Sequence, residues 1–212
     1  MAAAVHVLIT ICVWMSSPGL APDGGTDGAA LSSPRPGIEL VALSATQREV
    51  VTHAVGLFAE AGLPLPAMIV HGSQDPAACG GHDGLHQPHE QWSEIFLCSS
   101  KSDEWFRRVV LHELAHAWST IGLPVARRHA FQVLRGWEHW SNYDLAEWRY
   151  NGTEQAAEII AWGVSNKAAP TVQIDHDSCA ELRTGYRTLT GAEPPHGLTS
   201  LCGPPSPTMT RS

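Results

Sequence analysis

The amino-acid sequence predicts an α+β fold that is mostly helical and carries a small β-sheet. Five segments place apolar residues at the spacing of an α-helix, with capping residues in front of them or glycine behind them. Two short segments have the residue pattern of β-strands. The length of 212 residues, with 43% hydrophobic and 16% charged residues, suits one domain with a sizeable core.

The first 21 residues have the composition of a secretory signal peptide. The run from Ala2 to Met15 is almost entirely apolar, and it is shorter than the about 20 residues of a membrane-spanning helix. Small residues follow, and cleavage after Ala21 is predicted. The basic residues that usually open such a peptide are missing, because the first Lys or Arg is Arg35. An uncleaved anchor or a frayed N-terminus is the alternative interpretation.

The composition of the remaining residues predicts a linker, a folded domain and a C-terminal tail. Residues 22–37 are rich in Gly, Pro, Ser and Asp and are predicted to form a flexible linker. The folded domain is predicted to cover residues 38–203. Residues 204–212 are polar and contain further proline, so they are predicted to be a disordered tail.

The first part of the domain is predicted to form one helix and two strands. Ser44 and Gln47 have the spacing of a capping box, in which each side chain bonds a backbone N–H of the first turn. The helix behind them ends at Gly62. Strands are predicted at 67–71 and 94–98, and the Gly- and His-rich segment between them is predicted to be a loop.

The second part of the domain is predicted to contain four helices. Their predicted bounds are 102 or 103 to 118, 125 to 134, 153 to 166, and 177 or 178 to 191. Gly122 and Pro124 stop the first of them, Gly136 closes the second, and Thr153 is the predicted cap of the third. The Trp- and Tyr-rich segment 137–152 is predicted to be irregular.

The cysteines are typical of an exported protein. Cys12 lies in the predicted signal peptide, which leaves an even set of four: Cys79, Cys98, Cys179 and Cys202. Such a set indicates disulfides formed in an oxidising compartment, and it allows three pairings. We predict the pairing of sequence neighbours, 79 with 98 and 179 with 202, because it closes the shortest loops. A zinc site of all four is the alternative, although the chain has no Cys-x-x-Cys pair.

The pattern His-Glu-x-x-His occurs at residues 112–116, inside a predicted helix. Residues i and i+4 lie on one helix face about 6 Å apart, so His112 and His116 can bind one tetrahedral metal ion. Glu113 lies about 100° round the helix, where its carboxylate reaches a metal-bound water. The metal lowers the pKa of that water to about 7, and the carboxylate can accept its proton during attack on a carbonyl. Two histidines on a solvated helix surface are the alternative.

A catalytic zinc ion requires a third protein ligand and an open coordination position. The helix predicted at 153–166 offers Glu154 and Glu158 on one face. One of these acids can bind the metal while the other accepts the remaining ring N–H of a ligand histidine. Apolar neighbours such as Ile159 and Trp162 indicate that the helix also has a buried side. A solvated acidic face is the alternative interpretation.

At these residues the sequence resembles the gluzincin branch of the zincin metallopeptidases, the group that includes thermolysin. Those enzymes combine His-Glu-x-x-His with a downstream helical Glu, commonly followed four residues later by Asp or Asn. The resemblance covers residues 107–162 and implies a zincin-like fold, with a sheet whose edge strand flanks the helix of the motif. The strand predicted at 94–98 is the expected edge.

The resemblance also implies roles for individual residues. The implied ligands of a Zn²⁺ cofactor are His112, His116 and Glu154. Glu113 is the implied general base, and Glu158 stands where those enzymes have the Asp that orients a ligand histidine. Peptidases of this kind also stabilise the oxyanion with His, Tyr or Arg. The eligible residues, which the sequence does not rank, are His139, Tyr143, Tyr150 and His176.

The histidines of the Gly-rich loop between the two predicted strands are a separate case. His82 and His86 have helical spacing, and His89 follows, which suggests a second metal site. The glycines and Pro88 disfavour a helix there, so a solvated, disulfide-anchored loop is the preferred interpretation.

The sequence therefore predicts a secreted, monomeric zinc metallopeptidase that hydrolyses bonds in a peptide or protein substrate. One alternative is a non-catalytic zinc-binding interaction module on a zincin scaffold. The other is a zinc hydrolase of a non-peptide amide, such as a cell-wall polymer. The formal net charge of −8 and the lack of a large basic patch argue against a nucleic-acid partner. No stable membrane span is expected.

Overall fold

A four-stranded sheet and five α-helices form the part of the chain that the computed structural model describes. That part comprises residues 37–98, 101–141, 150–167, 172, 174–197 and 202. It belongs to one compact unit. The predictions made for the signal peptide, for the tail, for Tyr143 and for all but the last residue of the linker lie outside the described residues.

The sheet combines parallel strands with one antiparallel edge. Its strands are β1 (Ile38–Val41), β2 (Ala67–Gly72), β3 (Gly84–Pro88) and β4 (Trp92–Leu97). Their order in the sheet is β1, β2, β4, β3. β1, β2 and β4 are parallel, and β3 is antiparallel to β4. The small sheet that the sequence predicts is therefore confirmed, with two strands more than the pattern indicates.

The α-helices are α1 (Ala45–Glu60), α2 (Asp103–Ile121), α3 (Val125–Arg135), α4 (Gly152–Val164) and α5 (Cys179–Thr190). The predicted capping box is present: the Ser44 hydroxyl accepts from the Gln47 N–H, and the Gln47 side chain accepts from the Ser44 N–H. α4 begins two residues earlier than a cap at Thr153 predicts, because Asn151 is its cap. Within the described residues, no helix combines the length and the apolar character needed to cross a membrane.

One face of the sheet and the facing sides of the helices form the hydrophobic core. Alternate residues of β2 and β4, among them Met68, Val70 and Ile95, are completely buried because successive side chains of a strand point to opposite faces. α2 packs against α1, α4, β3 and β4. The helix that carries the His-Glu-x-x-His pattern therefore lies between the sheet and α4, and its side chains reach both.

Two predictions for the sheet are wrong. Residues 84–88, predicted as loop, form β3, whose backbone pairs on one side with β4. A glycine and a proline are tolerated there because β3 is an edge strand. The segment predicted at 94–98 belongs to β4, which is an inner strand. The edge that flanks α2 is therefore β3.

The four cysteines pair as predicted. The Cα atoms of Cys79 and Cys98 are 6.1 Å apart, and those of Cys179 and Cys202 are 5.2 Å apart. These are two separate pairs, so the alternative of one four-cysteine zinc site is wrong. The disulfide between Cys79 and Cys98 closes the loop that contains β3, and closing a loop of this kind typically stabilises a domain by about 2–4 kcal/mol.

Candidate metal centre

Two histidine rings of α2 meet on the face of the helix that is turned towards α4. The i, i+4 spacing places His112 and His116 one turn apart, and their Nε2 atoms are 3.0 Å from each other. The rings lie edge to face, with centroids 4.6 Å apart. Both side chains are largely buried, at 13% and 12% exposure. The predicted pairing of the two imidazoles on one helix face is thus present.

The third group comes from α4, which packs directly against α2. The Oε2 atom of Glu154 lies 3.1 Å from the Nε2 atom of His112 and 3.1 Å from that of His116. The three ligand atoms all lie within 4.8 Å of one another. Among the described residues, this is the one group of three or more His, Cys, Asp or Glu side chains with such spacing.

The geometry of this group fits a metal ion. Four-coordinate zinc with bond lengths of about 2.0–2.1 Å separates neighbouring ligand atoms by about 3.3 Å. The observed separations of 3.0 and 3.1 Å are within a few tenths of an ångström of that value. Two imidazoles and one carboxylate are a ligand set of catalytic zinc sites, which keep a fourth position for water or substrate. The group can therefore hold a metal ion without rearrangement of the helices.

In the metal-free protein, His112 and Glu154 form a pair of opposite charges. Burial alone would lower the pKa of His112, but its contacts with Glu154 and Glu158 outweigh burial and raise the pKa to about 10. Burial would raise the pKa of Glu154, but hydrogen bonds to His112 and His116 outweigh burial and lower it. At neutral pH His112 is therefore protonated and Glu154 ionised. A metal ion that binds must displace the proton.

Metal affinity is consequently expected to depend on pH. Between about pH 6 and pH 8, zinc affinity should rise about tenfold per pH unit, because one proton leaves His112 when zinc binds. Calorimetric titration in buffers of different ionisation enthalpy measures this release directly and should give about one proton per zinc ion. An affinity that is constant across this range would contradict a protonated His112.

The metal-free protein is expected to show the opposite trend in stability. The raised pKa of His112 contributes stability below its ordinary value of 6.5, and this contribution is lost as pH rises through about 10. The lowered pKa of Glu154 contributes stability above its ordinary value of 4.5, and this contribution is lost in acid. Both contributions are complete between pH 4.5 and 6.5. Thermal unfolding should therefore show a larger stabilisation by zinc at pH 8 than at pH 6.

Glu158 has surroundings different from those of Glu154. Its Oε1 atom lies 3.4 Å from Nδ1 of His112, on the side of the ring opposite the metal-binding group. The same oxygen accepts a hydrogen bond of 2.6 Å from Nη2 of Arg108. Burial would raise the pKa of Glu158, but its contacts with His112 and Arg108 outweigh burial and lower it. The sequence leaves the two glutamates interchangeable, whereas the structure places one at both Nε2 atoms and the other at Nδ1.

Glu113 is buried against β3, with 6% of its surface exposed. A Cβ atom at Gly84 would lie 2.6 Å from Oε1 of Glu113 and 2.7 Å from Cγ1 of Val109. The carboxylate therefore occupies space that is open because residue 84 has no side chain. Burial raises the pKa of Glu113, although the neighbouring His112 and His116 lower it in part. A carboxylate with a raised pKa is a better proton acceptor near neutral pH.

Replacing Gly84 with Ala is expected to displace the Glu113 carboxylate. The new methyl group would overlap Glu113 and Val109, and overpacking of this kind costs about 1–3 kcal/mol in the free energy of unfolding. Zinc content should be unchanged because neither residue belongs to the ligand group. Gly56→Ala is the matched control. A Cβ at that position of α1 meets no atom within 4 Å, so the helix should gain about 0.5–1 kcal/mol. Denaturant unfolding of both variants checks the difference.

A cleft of about 510 Å³ lies in front of the metal-binding group, between β3, α2 and α4. His86 of β3 lines it, with its ring parallel to that of His116 and the centroids 6.0 Å apart. Nε2 of His86 is 3.0 Å from Oγ of the buried Ser93. Burial, followed by the nearby His116 and His89, lowers the pKa of His86 to about 4, so its imidazole is neutral at pH 7.

The three histidines of the segment predicted as a loop lie in different surroundings. His86 lies in β3 and lines the cleft, so its interpretation as a solvated loop residue is wrong. His82 also lines the cleft, but it is exposed in the loop before β3, as predicted. His89 instead stacks on Trp92 and bonds Glu94 on the other face of the sheet, where Glu94 also bonds His71. A second metal-binding group at these residues is not formed within the described part of the chain.

Of the residues eligible by sequence to stabilise an oxyanion, the three that the structure describes do not line the cleft. This holds for His139, Tyr150 and His176, and the last of these bonds Glu181. Arg108 does line the cleft, and sequence reasoning did not single it out. Its spacing in the sequence could have identified it, because Arg108 precedes His112 by four residues and therefore lies on the same helix face.

No protein-family model, curated protein or solved structure matches the chain. Support for a function therefore comes from the geometry of the site and from the local resemblance at residues 107–162.

Proposed function

We propose that the chain is a zinc metallopeptidase of the gluzincin type with a zincin-like fold. One observation carries the proposal: Glu154 lies 3.1 Å from the Nε2 atoms of both histidines, while Glu113 is buried at the same cleft. A structural zinc site is closed by four protein ligands and has no role for a carboxylate beside the metal. The antiparallel edge strand β3 beside α2 also supports a zincin-like arrangement.

In the proposed site, each side chain has one task. The zinc ligands are His112, His116 and Glu154. Glu158, whose Oε1 lies 3.4 Å from Nδ1 of His112, is placed to accept a hydrogen bond from that N–H, which would fix the tautomer and orientation of the ring. Glu113 takes the proton of the attacking water and delivers it to the leaving amine. When bound, zinc supplies a Lewis acid that lowers the pKa of water to about 7 and polarises the carbonyl.

The proposed substrate is an extended peptide or protein segment. β3 is an edge strand that lines the cleft, so its backbone is placed to pair with a peptide strand that crosses in front of the zinc ligands. We propose that the enzyme is secreted and monomeric. The two disulfides support the proposed location, because such bonds persist in oxidising compartments.

Metal content and peptide cleavage of the purified chain test the proposal together. We expect about one zinc ion per chain. We expect cleavage of a random peptide library that a chelator abolishes and added zinc restores. A chain that takes up no zinc would refute the metal site and the function with it. Zinc without cleavage of any peptide would favour an interaction module. Cleavage of cell-wall amides alone would favour the non-peptide hydrolase.

A further inference from the structure

Arg108 is held rigidly at the wall of the cleft, one helical turn before His112. Its side chain is 15% exposed and bonds Glu158 through Nη2. The guanidinium carbon lies 4.9 Å from the ring centre of Trp105. Because a guanidinium group is planar, contact with an aromatic face and with a carboxylate fixes both its position and its orientation.

Most of the hydrogen-bonding capacity of this guanidinium group is not used by the protein. Arginine has five N–H donors. Within the described part of the chain, Glu158 is its one hydrogen-bond partner. None of its nitrogen atoms is among the buried side-chain atoms that lack a partner in the described structure. The other donors are therefore accessible, and the cleft is the space that Arg108 lines.

The neighbouring charges do not compete for those donors. Lys101 Nζ lies 2.6 Å from Oδ2 of Asp83, and the indole N–H of Trp105 donates to the same oxygen over 2.9 Å. In the zinc-bound site, the three carboxylates at residues 113, 154 and 158 are balanced by the ion and by Arg108. A further anion that enters the cleft therefore meets no net repulsion from these groups.

We propose that Arg108 binds a carboxylate of the substrate, so that the enzyme prefers peptides with a carboxylate near the cleaved bond. The proposal rests on the function proposed above, which places the cleaved bond at the zinc. One helical turn spans 5.4 Å and one strand residue about 3.3 Å, so the carboxylate lies within about two residues of that bond. An acidic side chain and a C-terminal carboxylate present the same group to the guanidinium fork.

Binding without turnover tests this preference. The protein is the zinc-loaded chain with Glu113→Gln, and the probes are acetylated tetrapeptides of alanine. One pair differs in a free or amidated C-terminus, and a second set places Glu or Gln at each position. We expect an acidic peptide to bind about 10- to 100-fold more tightly than its neutral counterpart. Arg108→Met should remove the difference, and Arg107→Met, on a residue that does not line the cleft, should keep it.

A second variant keeps the test decisive if Arg108→Met does not fold. Arg108→Lys retains a charge beside the buried Glu158 but lacks the planar fork, and it should reduce the preference about tenfold. Equal binding of acidic and neutral peptides would overturn the proposal. A preference that survives Arg108→Met would do so too, since the carboxylate would then be bound elsewhere. If the Arg108 variants lose zinc but keep the preference for acidic peptides, the proposal is also overturned. Arg108 would then serve only to hold Glu158 in place. A parent protein without zinc would instead refute the proposed function itself.

Discussion

Replacing Glu113 with Gln is expected to lower kcat/KM for peptide hydrolysis by about 10³-fold while zinc remains bound. Proton transfer by a positioned side chain contributes about 10²–10⁴-fold, and glutamine cannot accept a proton at neutral pH. The substitution preserves shape, so the side chain still fits the space beside Gly84. Zinc is retained because Glu113 is not a member of the ligand group. Kinetics on a substrate from the library and metal analysis of the same sample measure both effects.

The same substitution is expected to leave the fold as stable as before or more stable. Burial raises the pKa of Glu113, which means that the ionised form is disfavoured in the folded state. A neutral amide of the same size removes that cost, and a gain in stability with a loss of activity is typical of catalytic groups. Glu104→Gln, at an exposed position in the first turn of α2, is the control: it should leave activity unchanged and lower stability by at most about 1 kcal/mol, because it removes a favourable charge at the helix N-terminus. Retention of more than about a tenth of the activity by Glu113→Gln would place the base elsewhere.

Local rules were sufficient to predict the five α-helices and the placement of the two histidines on one helix face. The capping box at Ser44 and Gln47 depends on residues three apart, and it is present. The pairing of His112 with His116 depends on helix geometry alone. Glu154 required one further condition, that α4 pack against α2, and the apolar side of α4 indicated this.

Features that depend on partners distant in sequence were not predictable in the same way. β3 is a short segment with a glycine and a proline, and it becomes a strand because β4 pairs with it. The close approach of Gly84 to Glu113 follows from that pairing and has no local signature. Arg108 shared a helix face with His112, but its partner Glu158 lies 50 residues further along the chain.

Substitution of Glu154 and of Glu158 is expected to weaken zinc binding to different extents. The sequence alone does not decide which of the two is the ligand. Glu158→Gln should weaken zinc binding by about 10- to 100-fold, the usual effect of losing a partner that orients a ligand. Glu154→Gln should weaken it by more than that, because a carboxylate oxygen placed 3.1 Å from both imidazoles is itself lost as a ligand. The two substitutions are matched in chemistry and lie one turn apart on α4.

Stability without metal distinguishes a lost ligand from a damaged helix. In the metal-free protein both substitutions remove a contact to His112, so both should lower the thermal unfolding midpoint. Adding zinc should then raise the midpoint of Glu158→Gln, and it should raise that of Glu154→Gln far less, since stabilisation by a ligand follows its affinity. If instead Glu158→Gln shows the greater loss of zinc affinity, the two roles are exchanged. Glu154 would then be the residue that orients a histidine, and the metal would lie on the Nδ1 side of His112.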